Sequence, residues 1–238
     1  MNIKFIGTGS IWTKYNSASY LINDNIILDI PNGTCKELRK LNVLPNNINN
    51  IVITHFHGDH YFDIPFYILG KNKADDKRIN IYCDKTGKRK IKKIFKLAFP
   101  TDIEKTKKQV ILNYFTNDTF KIDGLKFKRI EVDHGRFKPA YGYLIEKDNI
   151  IIGFTGDTCY CKNVDYMASK SKYLICECSN IEGNHKHMGI NDIEMLANKY
   201  KDCTFIVTHM IDKTRDKIKN TKIKNIMVPN DGDSLEIK

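Results

Sequence analysis

Four apolar segments of this chain each lead into a residue that can bind a metal ion. The segments are rich in β-branched residues, and they are followed by His55, His134, Asp157 and His209. Enzymes of the α/β class place functional side chains on loops at one rim of a rigid sheet. The pattern therefore predicts a sheet-based fold with a metal site at the carboxyl ends of its strands.

Short apolar runs bounded by Gly, Asn, Asp or Pro recur along the chain, which is the signature of strands. The predicted strands are Ile3–Ile6, Ser19–Ile22, Ile26–Ile30, Ile51–Thr54, Ile79–Cys83, Lys126–Val132, Ala140–Glu146, Ile150–Thr155, Tyr173–Cys178 and Thr204–Thr208. Helical spacing predicts helices over Thr34–Leu41, Lys85–Phe99 and Asn191–Tyr200, with Asn191 as the cap of the third. Strands followed by helices, twice over, predict one α/β domain of sheets covered by helices.

The densest candidate is the segment Ile51–His60, IVITHFHGDH. Residues i and i+2 of an extended segment point to the same side, so His55 and His57 can reach one ion together. Gly58 is expected to let the backbone turn sharply, after which Asp59 and His60 present ligands towards a second ion. Imidazole with carboxylate suits zinc, and also iron or manganese. A surface turn that is merely rich in histidine is the alternative.

Charge and cysteine content bound the class of protein. The 238 residues carry a formal net charge of +11, which indicates either attraction to a polyanion such as RNA or a lysine bias spread over solvated surface. No apolar run is as long as a membrane span, and the chain opens like a strand rather than a signal peptide. We therefore expect a cytoplasmic protein, without a membrane partner, whose seven cysteines are reduced thiols.

The segment Thr54–His60, THFHGDH, resembles the T-H-x-H-x-D-H signature of the metallo-β-lactamase fold superfamily, and later ligand motifs follow in order. The resemblance implies an α/β fold, a four-layer αββα sandwich, with a dinuclear site at one edge. It implies two divalent ions, zinc above all, with iron or manganese as alternatives. Carried over residue by residue, His55, His57 and His134 bind one metal; Asp59, His60 and His209 bind the other; Asp157 bridges both.

Within this superfamily the chain resembles ribonuclease Z and its phosphodiesterase relatives. The likeness is carried by Phe5–Ser10 (FIGTGS), Asp29 with Gly33–Thr34, His134 with Tyr141–Tyr143, and Glu177 with His187. It implies that His187 is the proton donor and that Glu177 orients it, so the predicted catalytic residues are His187, Glu177 and the ligand Asp59. Met188 and Gly189 depart from the family's more usual apolar residue followed by Thr or Ser.

One departure concerns the long arm with which ribonuclease Z commonly clamps tRNA. Only 22 residues separate His134 from Asp157, and two predicted strands with a turn fill them. We therefore predict a single hydrolase domain over residues 1–238 without that arm. The substrate expected is RNA or a small cyclic or linear phosphodiester, and the family suggests a homodimer.

Three functions remain open on these residues. The first is a dinuclear metal phosphodiesterase, the second a lactonase, thioesterase or β-lactamase of the same fold, and the third a non-catalytic nucleic-acid-binding module. Asp157 disfavours the common dizinc β-lactamase, in which a cysteine usually serves at the corresponding position. The pair Glu177 and His187 favours phosphodiesters, and the intact set of seven ligands argues against a non-catalytic module.

Two further features are left with alternatives. The segment Lys85–Lys108 holds ten Lys or Arg against two acidic residues, and Lys213–Lys224 is a second basic run. Each is either a track for a phosphate backbone or a solvated face. Two C-x-C pairs, at residues 159–161 and 176–178, are interpreted as core positions rather than a third metal site.

Overall fold

The computed structural model describes residues 1–74, 78–102, 104, 108 and 110–237. The chain divides into two compact units. Unit 1 comprises Met1–Gly7, Asn16–Thr116 and Asp231–Lys238, and unit 2 comprises Thr8–Tyr15 and Asn117–Asn230. Each contains a seven-stranded sheet within the described ranges.

Unit 1 is built on a mixed sheet. Its strands are β1 (Asn2–Gly7), β2 (Ser19–Ile22), β3 (Ile26–Leu28), β4 (Asn50–Val52), β5 (Ile79–Cys83), β6 (Val110–Tyr114) and β14 (Ser234–Glu236), in the order β14-β1-β2-β3-β4-β5-β6. Its helices are α1 (Thr34–Lys40), α2 (Gly58–Tyr61), α3 (Ile64–Ala74) and α4 (Gly87–Ala98). Every residue of β2, β3 and β4 is buried, which explains why these strands are apolar except for Ser19 and Asn50 at their starts.

Unit 2 repeats this plan. Its strands are β7 (Thr119–Ile122), β8 (Leu125–Glu131), β9 (Tyr141–Lys147), β10 (Ile150–Phe154), β11 (Tyr173–Glu177), β12 (Thr204–Thr208) and β13 (Ile226–Met227), in the order β13-β12-β11-β10-β9-β8-β7. Its helices are α5 (Lys162–Lys170), α6 (Ile190–Lys199) and α7 (Asp212–Ile218). Helix α5 packs on β10 and β11, and α6 packs on β12.

In each sheet the pairing changes from antiparallel to parallel at the middle strand. Strands β3 to β6 in unit 1, and β10 to β13 in unit 2, are parallel neighbours. Parallel strands end at the same edge, and that edge is where open α/β sheets bind ligands. In unit 2 this brings together Asp157 after β10, Glu177 at the end of β11, and His209 after β12.

All ten predicted strands are present, with bounds that differ by a few residues. Helix α6 begins at Ile190, so the predicted cap at Asn191 is wrong. Gly189 stands at the cap position, and its backbone N–H donates to the Asp192 carboxylate over 2.9 Å. Helices α2, α3, α5 and α7 and strands β6, β7, β13 and β14 were not predicted. Two mixed sheets, each with its helices, confirm the α/β class.

The cysteines are all free thiols, and three of them, Cys176, Cys178 and Cys203, belong to the core of unit 2. Cys176 and Cys178 are completely buried among apolar side chains, which confirms that this C-x-C pair is a core feature. Burial raises the pKa of the Cys176 thiol well above its ordinary value, so the thiol stays protonated. Over the described ranges, no helix has both the length and the apolar character that a membrane crossing requires.

Arg215 on α7 is the bulkiest completely buried side chain in unit 2. Its guanidinium donates to the carbonyl oxygen of Pro229 at 2.8 Å and to that of Thr8 at 3.3 Å, and it lies 3.8 Å from the centre of the Tyr15 ring. These contacts tie the segment Thr8–Tyr15 to α7. The planar fork of arginine suits such a site because it can serve two carbonyl groups and stack on an aromatic ring.

Replacing Arg215 by Met is expected to lower the free energy of unfolding by about 2–3 kcal/mol, because two buried carbonyl oxygens lose their donors. Urea titration followed by circular dichroism measures the change. Lys217→Met, at an exposed position of the same helix, is the control and should shift stability by less than about 0.5 kcal/mol. Equal stability of the two variants would contradict a structural role for Arg215.

Candidate metal centre

The segment after β4 brings its first two histidines together, as predicted from their i, i+2 spacing. Nε2 of His55 lies 3.0 Å from Nδ1 of His57. Nδ1 of His55 lies 3.1 Å from the Thr54 hydroxyl oxygen. The Thr54 hydroxyl in turn donates to an Asp29 carboxylate oxygen at 2.6 Å, so it accepts from His55. These hydrogen bonds assign the proton of His55 to Nδ1, which leaves Nε2 as the atom that can bind a metal.

Asp59 and His60 lie on the short helix α2, with Nε2 of His60 3.7 Å from a carboxylate oxygen of Asp59. The prediction that Gly58 is needed for a sharp backbone turn is wrong. Gly58 is not among the residues with positive φ, so the turn does not require glycine for its dihedral angles. A Cβ at this position would instead lie 2.8 Å from the Phe62 ring, so the glycine makes room for that side chain.

Asp29 is the organising carboxylate of unit 1, a role that sequence analysis missed. It is buried and accepts the Thr54 backbone N–H at 2.8 Å and Nδ1 of His60 at 2.7 Å. Burial raises the pKa of Asp29, and the neighbouring His60 opposes that rise. The signal was available, because Asp29 directly follows the apolar strand β3 just as the predicted ligands follow their strands.

Asp157 is the centre of the polar cluster in unit 2. Its two carboxylate oxygens lie 3.9 Å from Nε2 of His134 and 3.4 Å from Nε2 of His209. All three side chains are buried. His209 has a left-handed φ of 52°, a conformation that is uncommon outside glycine and occurs at functional sites.

His134 is held from outside the cluster. Its Nδ1 lies 2.9 Å from the backbone carbonyl oxygen of Lys186, which makes Nδ1 the protonated nitrogen and directs Nε2 towards Asp157. Burial lowers the pKa of His134, although the charge of Asp157 opposes this. A neutral imidazole whose second nitrogen is bound to a carbonyl is the usual state of a metal ligand.

Glu177 and His187 form the predicted pair. Nδ1 of His187 lies 2.8 Å from a carboxylate oxygen of Glu177. The Glu177 carboxylate is buried and accepts the backbone N–H groups of Thr158 at 3.0 Å and Ser179 at 2.8 Å. Burial by itself lowers the pKa of His187, but the hydrogen bond and charge of Glu177 outweigh it and the net shift is upward.

His187 also lies against the other histidines of unit 2. Its ring stacks on that of His209 with centroids 5.7 Å apart, and it meets the His134 ring edge-on at 4.9 Å. One ligand atom each from Asp157, His187 and His209 lies within 4.8 Å of the others, a spacing that can hold a metal ion. His187 can therefore act as proton donor or as ligand. His185, by contrast, is exposed, as expected.

Each unit thus carries a donor set of imidazole and carboxylate groups. Unit 1 supplies His55, His57, Asp59 and His60, and unit 2 supplies His134, Asp157 and His209. These donors fit zinc, iron or manganese, and the hydrogen bonds that fix His60 and His134 through Nδ1 are those expected of metal ligands. The assignment of each residue to one of two ions remains a prediction.

Comparison with known proteins identifies relatives. The model of the family described as anti-Pycsar protein Apyc1 matches residues 1–229. The ribonuclease Z of Picrophilus torridus is 30% identical over 157 residues, covering 63% of this chain and 48% of that protein. The match spans 48% of this relative and between 24% and 49% of the other ribonuclease Z proteins compared.

Solved structures share the fold. The metallo-β-lactamase fold protein YhfI from Bacillus subtilis superposes with a TM-score of 0.78 and 16% identity, covering 98% of each chain. The short form of human tRNase Z superposes with a TM-score of 0.74 and 18% identity, covering 100% of each chain. At this identity the likeness is one of fold, and it confirms the predicted metallo-β-lactamase fold.

Replacing Glu177 by Gln is expected to lower the free energy of unfolding by about 1–3 kcal/mol. A carboxylate accepts all of its buried hydrogen bonds, whereas an amide nitrogen in its place faces a backbone N–H. Thermal and urea unfolding measure the loss. Glu131→Gln, the same substitution at an exposed position, is the control and should be close to neutral. A Glu177→Gln variant with an unchanged free energy of unfolding would show that this carboxylate does not anchor the backbone at Thr158 and Ser179.

Proposed function

The chain belongs to the family of the anti-Pycsar protein Apyc1, and on this premise we propose that it is a metal-dependent hydrolase of phosphodiester bonds. Its ribonuclease Z relatives support hydrolysis of phosphodiesters, and its donor groups support the use of divalent metal ions. The finer proposals are that two ions act together, that they are zinc, and that the substrate is RNA or a small cyclic or linear phosphodiester.

The observation that carries the proposal is the Glu177–His187 pair beside Asp157 in unit 2. Cleavage of an unactivated phosphodiester expels an alkoxide, which needs a proton as it leaves. Nδ1 of His187 is engaged by Glu177 at 2.8 Å, so Nε2 is the atom that would deliver the proton. Glu177 favours the protonated imidazole and fixes its orientation, which are the two requirements of a general acid.

The residues proposed to hold the two ions are those of the family motif: His55, His57, Asp59, His60, His134, Asp157 and His209. When bound, divalent ions lower the pKa of an attacking water and neutralise charge on the phosphoryl oxygens. Asp29 and the Lys186 carbonyl group orient the rings of His60 and His134, respectively.

The proposed substrate class follows from the chain between His134 and Asp157. This segment forms β9 and β10, which pair as an antiparallel hairpin. The pairing runs from Lys147 opposite Ile150 to Tyr143 opposite Phe154. We propose one hydrolase domain without a clamping arm, so the substrate need not be a tRNA. The predicted homodimer is part of the same proposal, and light scattering of the purified protein measures it.

A substrate panel tests the proposed function. Bound metals are measured first, and turnover is then compared on bis(p-nitrophenyl) phosphate, a lactone, a thioester and a 3′-extended tRNA. We expect turnover of the phosphodiester. Activity on the lactone or the thioester alone would overturn the proposal and favour a different hydrolase of this fold.

Replacing His187 by Ala tests the proton donor. We expect kcat on a phosphodiester with an alkyl leaving group to fall by about 10²- to 10⁴-fold, and kcat with a p-nitrophenolate leaving group to fall much less. Metal content should be unchanged, and His185→Ala, at the exposed neighbour, should behave as the parent protein. Full kcat on the alkyl ester would exclude the donor role, and loss of metal would make His187 a ligand.

Replacing Asp29 by Asn tests the orientation of His60 and His55. An amide offers one acceptor in place of the two carboxylate oxygens that serve Thr54 and His60, so zinc affinity should fall by about 10- to 100-fold. Competition with a chromophoric chelator measures the affinity. Asp24→Asn, at the exposed turn before β3, is the matched control. Unchanged zinc affinity would show that Asp29 serves the fold alone.

A further inference from the structure

Helix α4 presents an exposed face of cations, here called the basic face: Lys88, Arg89, Lys92, Lys93 and Lys96. Four of these residues follow the i, i+3, i+4, i+7 spacing that places side chains on one side of a helix. Ile91 and Phe95 on the other side are buried, so the helix is fixed to unit 1 by its apolar side. Lys90 belongs to neither side and lies over the Phe56 ring at 4.6 Å.

The charge of the basic face is not compensated locally. Helix α4 contains no acidic residue, and none of the five cations forms an ion pair with a residue in the described part of the chain. Like charges at i, i+4 destabilise a helix by a few tenths of a kcal/mol per pair. No ion pair in the described part of the chain offsets this repulsion for these five cations of α4. Their positive charge is complementary to that of a polyanion. Lys105 and Lys107 of the predicted basic segment lie outside the described residues.

An exposed aromatic ring belongs to the same part of unit 1. Phe66 on α3 is 53% exposed, and its ring meets that of Phe99 edge-on with centroids 5.3 Å apart. Phe99 directly follows α4, which places Phe66 near the carboxyl end of that helix. Proteins that bind single strands combine a cationic track for the phosphates with aromatic rings on which bases stack.

We propose that the basic face and Phe66 form a binding site for single-stranded nucleic acid, with the phosphates on α4 and a base stacked on Phe66. A lipid surface fits less well, because an amphipathic helix binds lipid through its apolar face, and Ile91 and Phe95 on that face of α4 are buried in unit 1. A duplex fits less well because its bases are not open for stacking on Phe66. The site is independent of the proposed hydrolysis, since none of its residues belongs to the candidate metal centre.

The test is fluorescence anisotropy with a labelled 20-nucleotide oligouridylate over a range of KCl concentrations. Four or five phosphate contacts predict a slope of log K against log salt of about −3, because each contact on a single strand contributes about −0.7. Arg89→Glu/Lys93→Glu should lower affinity by at least about ten-fold and flatten the slope by about 1.4. Phe66→Ala should lower affinity by about 5- to 100-fold at an unchanged slope.

Lys147→Glu/Lys201→Glu is the matched control, because it changes the net charge equally at exposed positions of unit 2. It should retain most of the affinity, and the melting temperature of each variant verifies that the fold is intact. If the two double variants lose the same affinity, the effect is one of net charge alone, and the proposed site on α4 is wrong. Equal affinity for a duplex would overturn the single-strand assignment. So would an Arg89→Glu/Lys93→Glu variant that loses binding to phosphatidylserine vesicles but keeps its affinity for oligouridylate.

Discussion

The candidate centre depends on hydrogen bonds that fix one ring nitrogen of His60, of His134 and of His187. Asp29 engages His60, the Lys186 carbonyl group engages His134, and Glu177 engages His187, each through Nδ1. An unrestrained imidazole rotates and exchanges tautomers, so a ligand held at one nitrogen spends less entropy on binding an ion at the other. The set of candidate ligands is therefore only as well ordered as the hydrogen-bond partners behind it.

Those partners are themselves costly to bury. An ionised carboxylate in the interior requires donors, and the ends of parallel strands provide backbone N–H groups that no ladder uses. Asp29 receives the N–H of Thr54, and Glu177 receives those of Thr158 and Ser179. The strand ends that position the candidate ligands thus also donate hydrogen bonds to the carboxylates that orient the histidine rings. The order of the site therefore depends on the order of the sheet edge.

The strands, and the polar residues that follow them as candidate ligands, could be located from the sequence because each depends on local pattern. A run of β-branched residues forms a buried strand, and a polar residue after it has one edge at which to lie. Helix α7 escaped prediction because it is anchored by the buried cation Arg215 rather than by an apolar stripe. Strand β14 escaped because it pairs with β1, with Asn2 opposite Glu236, a contact that no local window contains.

The partner behind each ligand was harder to predict than the ligand itself. Asp29 stands 31 residues before His60, and the Lys186 carbonyl group stands 52 residues after His134, so their pairing exists only once the strands are assembled. Glu177 and His187 were found through the resemblance to ribonuclease Z, because ten residues of loop give no geometric clue. The motif of histidines and aspartates is common to many hydrolases of one fold. What separates them is which groups lie beside the metal ligands, and in this chain a carboxylate-bound imidazole lies beside Asp157 and His209.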